Sequence, residues 1–258
     1  EYFKDIMSFN NENIELDSSF IPYELRRNPI KMFIHNNIYY TNNKFNYEFC
    51  NDKLCIYDNV NKNMQYKKIE DIVIIHNQVW EHNYGHFILD NLLPIFKVIC
   101  TYKNNLNPNC NLVLYLNRHS TKPLNSKWEK ILKCFVSKIK YLNENIFFKK
   151  AIILYQSFEK PWKAKINNSV NNIDFFCNFR EIVYKKININ KNSNPKNIIF
   201  LSRKNAKWRK VINEDSIKYN KISFEKISLK NEIEAINNTK ILITPYGAGI
   251  VSGFFLNK

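Results

Sequence analysis

The chain has 258 residues, is 45 % hydrophobic and 15 % aromatic, and carries a formal net charge of +16. It holds enough apolar material for one large domain or two ordinary ones, and no apolar run reaches the 18 or so residues of a membrane span. Its lysines are scattered over nearly every segment, with no stripe and no interleaved aromatic platform. The charge therefore reads as solvated surface rather than a nucleic-acid footprint.

The abundance of Asn, Lys and Ile is the bias of an AT-rich genome, which points to a viral, parasite or low-GC bacterial source, while scattered free thiols point to a reducing, cytoplasmic location. The chain starts at Glu1 without a Met, so a removed N-terminal signal stays open. Six cysteines form no CxxC pair and no zinc spacing. They read as free thiols, with only Cys50 and Cys55 placed for a local bridge.

Residues 1–70 mix short apolar runs with Asn-rich turns; KMFIHNNIYYTNN and KLCIYDNV read as strands or hairpins. DIVIIHN (71–77) is a β-branched run of buried-strand type. HFILDNLLPIFKVIC follows with a helical period, interrupted or kinked at Pro94. NLVLYL (111–116) predicts a strand, SKWEKILKCFVSKI (126–139) an amphipathic helix, AIILY (151–155) a strand and 171–187 another helix. The polar stretch 186–197, with Pro195, is the best linker candidate. Beyond it come strand NIIFLS (197–202), short helix NEDSIKYN, strand KISFEKI, helix SLKNEIEAINNT and strand KILITP (240–245). Strands alternating with helices predict an α/β fold with parallel sheets, in two Rossmann-like halves. The expected divisions are a strand- and turn-rich segment 1–70, a first Rossmann-like domain 71–190 and a second one, 191–258.

The chain has only four glycines, where average usage of about 7 % would give roughly 18. One is Gly85, in NYGHFILD; the others, Gly247, Gly249 and Gly253, share PYGAGIVSGFF. Asn83 is placed to cap a helix whose first turn holds Gly85 and His86, and Gly85 would leave the backbone there open to a substrate. His86 and Asp90 are then i and i+4 on one helix face, where a carboxylate orients an imidazole as a general base. The same pair is equally a satisfied cap with no catalytic part. Arg203 follows strand NIIFLS directly, and Arg209 comes six residues later. Asn213 would cap a helix starting at Glu214, so both guanidinium groups could meet an anion with that helix N-terminus behind them. The turn Gly247-Ala248-Gly249 is a second anion candidate, where backbone N–H groups could approach a diphosphate, although it matches neither GxGxxG nor the P-loop.

Three motifs in this order resemble glycosyltransferase family 61. Asn83-Tyr84-Gly85-His86-Phe87-Ile88-Leu89-Asp90 resembles the family's N-x-G-H-W-x-x-D stretch. Arg203, Arg209, Asn213 and Glu214 match its two arginines followed by Asn-Glu. Gly247, Ala248, Gly249 and Phe254 match its H-G-A-G turn and following Phe, with Tyr246 where His is usual. The resemblance implies a GT-B-like architecture and inverting transfer from a nucleotide-diphospho-sugar, most readily a UDP-sugar, to a hydroxyl of a glycan or protein. It implies no obligatory metal or other cofactor. His86 or Asp90 would be the base; Arg203, Arg209, Asn213, Glu214 and Gly247–Gly249 would hold the donor. It also implies a further strand and helices beyond Lys258, so the second domain is expected to be incomplete. Two other readings remain: a metal-dependent hydrolase using His82, His86 and Asp90, spaced by four, and a basic nucleic-acid-binding protein.

Overall fold

A computed structural model describes residues 12–16, 30–50, 53–58, 60–61, 63–77, 83–103, 112–117, 124–156, 173–206, 210–225, 227–245 and 247–257. In chain order the strands are β1 (Glu12–Leu16), β2 (Ile30–Thr41), β3 (Lys44–Phe45), β4 (Tyr47–Cys50), β5 (Lys53–Ile56), β6 (Lys67–Asn77), β7 (Val113–Asn117), β8 (Lys138–Tyr141), β9 (Ile146–Gln156), β10 (Asn197–Leu201), β11 (Asn220–Ile222) and β12 (Thr239–Ile243). The helices are α1 (Tyr84–His86), α2 (Leu93–Lys103), α3 (Ser126–Leu132), α4 (Ile173–Lys186) and α5 (Leu229–Asn237). A π-helical stretch, Phe87–Leu92, and two 3₁₀ stretches, Glu214–Ser216 and Ala248–Phe255, complete the set. The chain groups into two compact units. Unit 1 is Glu1–Val79, Asn91–Pro123 and Phe135–Val170; unit 2 is Trp80–Asp90, Leu124–Cys134 and Asn171–Lys258.

Unit 1 is built on a mixed sheet of seven described strands, ordered β1-β2-β9-β6-β7-β8, with β3 paired to β2. Its parallel part, β8-β7-β6-β9, starts from the inner strand β6 and places later strands on both sides. DIVIIHN behaves as its composition predicts: Val73, Ile74, Ile75 and His76 are buried consecutively, as a central parallel strand requires. One core cluster joins Phe33, Ile38 and Tyr40 of β2 to Val73 and Ile75 of β6, Tyr115 of β7, and Phe148 and Ile153 of β9. The β2–β3 hairpin turns on Asn42 and Asn43, both at positive φ (50° and 61°), the backbone that matches the twist of flanking strands. Cys50 and Cys55 on the β4–β5 hairpin are free thiols.

Unit 2 holds a three-stranded parallel sheet ordered β11-β10-β12. Helix α5 buries Leu229, Glu232, Ile233, Ile236 and Asn237, a spacing that keeps one face inward, and Ser228 caps it through the Asn231 N–H at 3.2 Å. Helix α4 clasps the 3₁₀ stretch Ala248–Phe255. Phe176 stacks on Phe254 at 4.9 Å, and Tyr184 donates to the Phe255 carbonyl at 2.6 Å.

Four sequence expectations change. The predicted helix 126–139 ends at Leu132, because Cys134, Phe135 and Val136 are buried consecutively and β8 begins at Lys138. The helix expected from Glu214 is a three-residue 3₁₀ turn, since β11 starts at Asn220. The linker candidate 186–197 lies wholly inside unit 2. Asn192 ties it to Asn237 through its N–H (3.1 Å) and to Asn238 through its amide (2.7 Å). Finally, the helix after Asn83 is π-helical from Phe87 to Leu92. That wide turn sits just before Pro94, whose ring crowds the carbonyl four residues back and which has no N–H to offer it.

His76, at the carboxyl end of β6, is 4 % exposed, with Nε2 at 2.9 Å from Asn91 Oδ1. The amide oxygen only accepts, so Nε2 carries the proton; Nδ1 has no partner among the described residues. Burial pulls the His76 pKa down to about 4, with the Asn91 bond opposing it. A depressed histidine favours the neutral folded form, so its contribution is present above pH 6.5 and is lost as pH falls toward 4. Unfolding free energy in urea should drop by about 2 kcal/mol from pH 7 to pH 5 on this account. In His76→Gln that part of the slope should be absent.

Candidate active site

Strand β10 delivers Ser202 and Arg203 to its carboxyl end, beside the carboxyl ends of β11 and β12. Strand β10 lies between β11 and β12, and open α/β sheets hold ligands outside the carboxyl ends of their strands. Glu214 is 5 % exposed and braces this turn from below. One carboxylate oxygen accepts from the Ser202 hydroxyl, and the other from the Arg203 N–H at 3.3 Å. Ser202 Oγ in turn accepts the Lys204 N–H at 3.3 Å. The sequence reading gave Glu214 to the donor. Its oxygens are engaged by the chain, so its direct effect is on where Arg203 stands.

After β12 the chain turns through Gly247, with φ 151° and ψ −167°, a region that essentially only glycine occupies. Gly249 then passes so close to β10 that a Cβ there would lie 2.4 Å from Leu201 Cδ2. Asn83 caps the α1 segment as expected, accepting the Gly85 N–H at 2.9 Å and the His86 N–H at 3.3 Å. Gly85, however, is buried, and a Cβ on it would meet Ala248 Cα at 3.3 Å and Asn83 Oδ1 at 3.2 Å. This corrects the expectation that Gly85 leaves room for a substrate: the room is filled by the second glycine segment. The two glycine-bearing motifs pack against each other.

Beside this joint, Trp128 of α3 stacks on Phe87 (4.8 Å, 12°). Glu232 of α5, 3 % exposed, accepts the Tyr84 hydroxyl and the Lys127 ammonium, each at 3.2 Å. Lys127 also donates to the Phe224 carbonyl at 2.7 Å. Burial raises the Glu232 carboxyl above its ordinary value, and Lys127 and Tyr84 hold it partly back. Burial and the Glu232 charge keep the Tyr84 hydroxyl protonated.

These elements enclose a cleft of about 320 Å³ within unit 2. Arg203 and Ser202 from β10, Ser223, Phe224 and Glu225 beyond β11, Ala248 and Gly249 beyond β12, and Tyr84, Lys127, Trp128 and Glu232 form its wall. Of the sequence-predicted set, Arg203, Ala248 and Gly249 line it, whereas Asn83, Gly85, His86, Asn213, Glu214 and Gly247 stand off it. Asn213 makes no side-chain cap bond. Arg209, Tyr246 and His82 lie outside the described residues, as does the Asp90 side chain. His86 is half-buried, and its expected i,i+4 register with Asp90 is altered by the π-helical stretch between them. Among the described residues no three His, Cys, Asp or Glu side chains could jointly hold a metal, and no helix is long and apolar enough to cross a membrane. Sequence reasoning missed Tyr84, Lys127, Trp128 and Glu232. Their partners lie about forty to a hundred and fifty positions away, beyond any local pattern.

The family model Glycosyltransferase 61 matches residues 84–258, more than half of the chain. The chain belongs to glycosyltransferase family 61, and its partners are accordingly a sugar donor and an acceptor. Among curated proteins none matches it.

Two consequences can be measured by urea unfolding. Gly85→Ala should cost about 1–3 kcal/mol through overpacking against Ala248. Gly253→Ala, whose Cβ would meet only Leu256 at 4.0 Å, should be neutral or stabilising by less than about 1 kcal/mol. Glu214→Ala should cost about 1–3 kcal/mol by stranding the Ser202 hydroxyl and the Arg203 N–H. Glu214→Gln should recover most of this, because an amide oxygen can still accept the Arg203 N–H while its NH₂ donates to the Ser202 hydroxyl oxygen.

Proposed function

We propose that the unit 2 cleft holds a nucleotide-diphospho-sugar, with uridine the first base to test, and that this chain moves the sugar to a hydroxyl of a glycan or protein in a GT-B-like enzyme. The observation that carries the proposal is an arginine at the carboxyl end of β10, on the same cleft as the glycine turn beyond β12. A planar guanidinium pairs with phosphate oxygens two at a time, and backbone N–H groups at a turn add donors without a side chain in the way. The aromatic wall of Tyr84, Trp128 and Phe224 offers flat apolar surface beside them.

In the reaction we favour, the acceptor oxygen attacks the anomeric carbon as the bond to the β-phosphate oxygen breaks. The acceptor proton passes to His86 or Asp90, and the nucleoside diphosphate leaves with its charge balanced by Arg203, with Arg209 assigned to the same task. One displacement inverts the anomeric centre. Loss of a charge-assisted contact of roughly 1.5–3 kcal/mol made in the transition state would slow transfer about ten- to more than a hundredfold.

Thermal stability against a panel of sugar nucleotides, in EDTA, tests the donor site. A ligand at a hundredfold excess over its Kd raises stability by roughly 2.7 kcal/mol. One UDP-sugar should stabilise the wild type, and Arg203→Ala should lose the response. A response abolished by EDTA would overturn the metal-free mechanism in favour of His82, His86 and Asp90. Product anomeric configuration by NMR decides inversion.

A further inference from the structure

We infer that Cys50 and Cys55 are a redox pair, which oxidised glutathione closes reversibly into a disulfide across the β4–β5 hairpin. The pair lies in unit 1, outside the family-matched residues 84–258, and does not rest on the nucleotide reading above. Antiparallel pairing sets Cys50 opposite Lys53 and Cys55 opposite Glu48, so the two cysteines are diagonal neighbours on one face of the hairpin. Phe49 and Leu54, the residues next to them, alternate to the other face and pack against the core cluster that contains Tyr47. The core side is thus pinned, and Glu48, Cys50 and Cys55 share the outer side. There the Cys50 thiol donates to a Glu48 carboxylate oxygen at 3.3 Å, and the Tyr57 hydroxyl donates to the same oxygen. Both thiols are free and half-buried, whereas Cys134 is buried.

Contact with the Cys55 thiol, and after it with Glu48, pushes the Cys50 pKa up to about 11. Cys50 therefore keeps its proton at neutral pH, and it is the thiolate that attacks a disulfide. That sets the order of events. The Cys55 thiolate attacks one sulfur of oxidised glutathione, expels one glutathione thiolate and carries the other as a mixed disulfide. Cys50 then releases its proton to water, attacks Cys55 Sγ and expels the second glutathione thiolate. One protein S–S bond forms as the glutathione S–S bond breaks. Two electrons pass from the protein thiols to glutathione, and the two protons end on the two glutathione thiols.

The test equilibrates the full chain in glutathione buffers of graded oxidised fraction, traps free thiols with N-ethylmaleimide in denaturant, and weighs tryptic peptides. Cleavage after Lys44, Lys53 and Lys62 puts Cys50 and Cys55 on separate peptides, so the bridge appears as 45–53 joined to 54–62. The joined pair should rise with the oxidised fraction and vanish on return to reduced glutathione. It should close at a lower oxidised fraction in the folded chain than in urea, because the hairpin holds the thiols together. Cys50→Ser should accumulate glutathione on Cys55, and Cys55→Ser should take it up at Cys50 about tenfold more slowly or worse. Separate alkylated peptides at every ratio, a wild type that stops at the mixed disulfide, or equal closure in urea would overturn the pair. Equal uptake by the two single variants would overturn the order of attack.

Discussion

Ala248 Cα lies 3.3 Å from where a side chain at position 85 would begin, and much of unit 2 is arranged to keep it there. The Asn83 cap orients the α1 segment so that Gly85 faces inward. The Gly247 backbone swings the chain off β12 toward it, and Gly249 lets the same turn lie against Leu201 of β10. Stacking and hydrogen bonds from α4 then hold the 3₁₀ stretch from behind, through Phe254 and Phe255. Remove the close approach and the glycine turn loses one of the three contacts that place it relative to Arg203, the others being Leu201 and α4. Two motifs that read in the sequence as separate pieces of chemistry are, first, the two halves of a joint.

The cleft's electrostatics are set by neighbours rather than by the net charge of +16. Most described lysine pairs are exposed, such as Lys67–Glu144 and Lys149–Glu70, and exposed pairs contribute little. Inside the wall the balance is close. Lys127 is matched by Glu232, with its side chain only 24 % exposed, and Glu214 is placed under Arg203 on backbone and hydroxyl donors. A carboxylate so near the arginine proposed to bind phosphate opposes anion binding unless it is itself well satisfied, and both Glu214 oxygens are.

The parts of this picture legible in the sequence are those set by local pattern. The buried run Val73–His76, the α5 face from Leu229 to Asn237 and the Asn83 cap all follow from spacing. Family membership was legible because three short motifs keep their order. What was not legible depends on distant partners. Nothing around Lys127 announces Glu232, and nothing around Gly85 announces Ala248. The π-helical stretch follows from crowding at Pro94, which the sequence marks only as an interruption. Glu214 has the right residue type in the right motif, yet its work is decided by which donors reach it first.

The scarcity of glycine sharpens the argument about where glycine is needed. Among the described residues, the non-glycine positions at positive φ are Asn37, Asn42, Asn43 and Asn188, all near φ 50–61°. Asparagine tolerates that left-handed region, so a chain rich in Asn can turn without glycine. It cannot serve at φ 151° with ψ −167°, nor where a Cβ would stand 3.3 Å from a backbone carbon or 2.4 Å from a buried leucine. Gly247, Gly85 and Gly249 occupy those three places. A side chain at Gly85 would part the two motifs, one at Gly249 would push the turn off β10, and Gly247 supplies the backbone that joins the turn to β12, so the joint, and the cleft beside it, is what these three residues maintain.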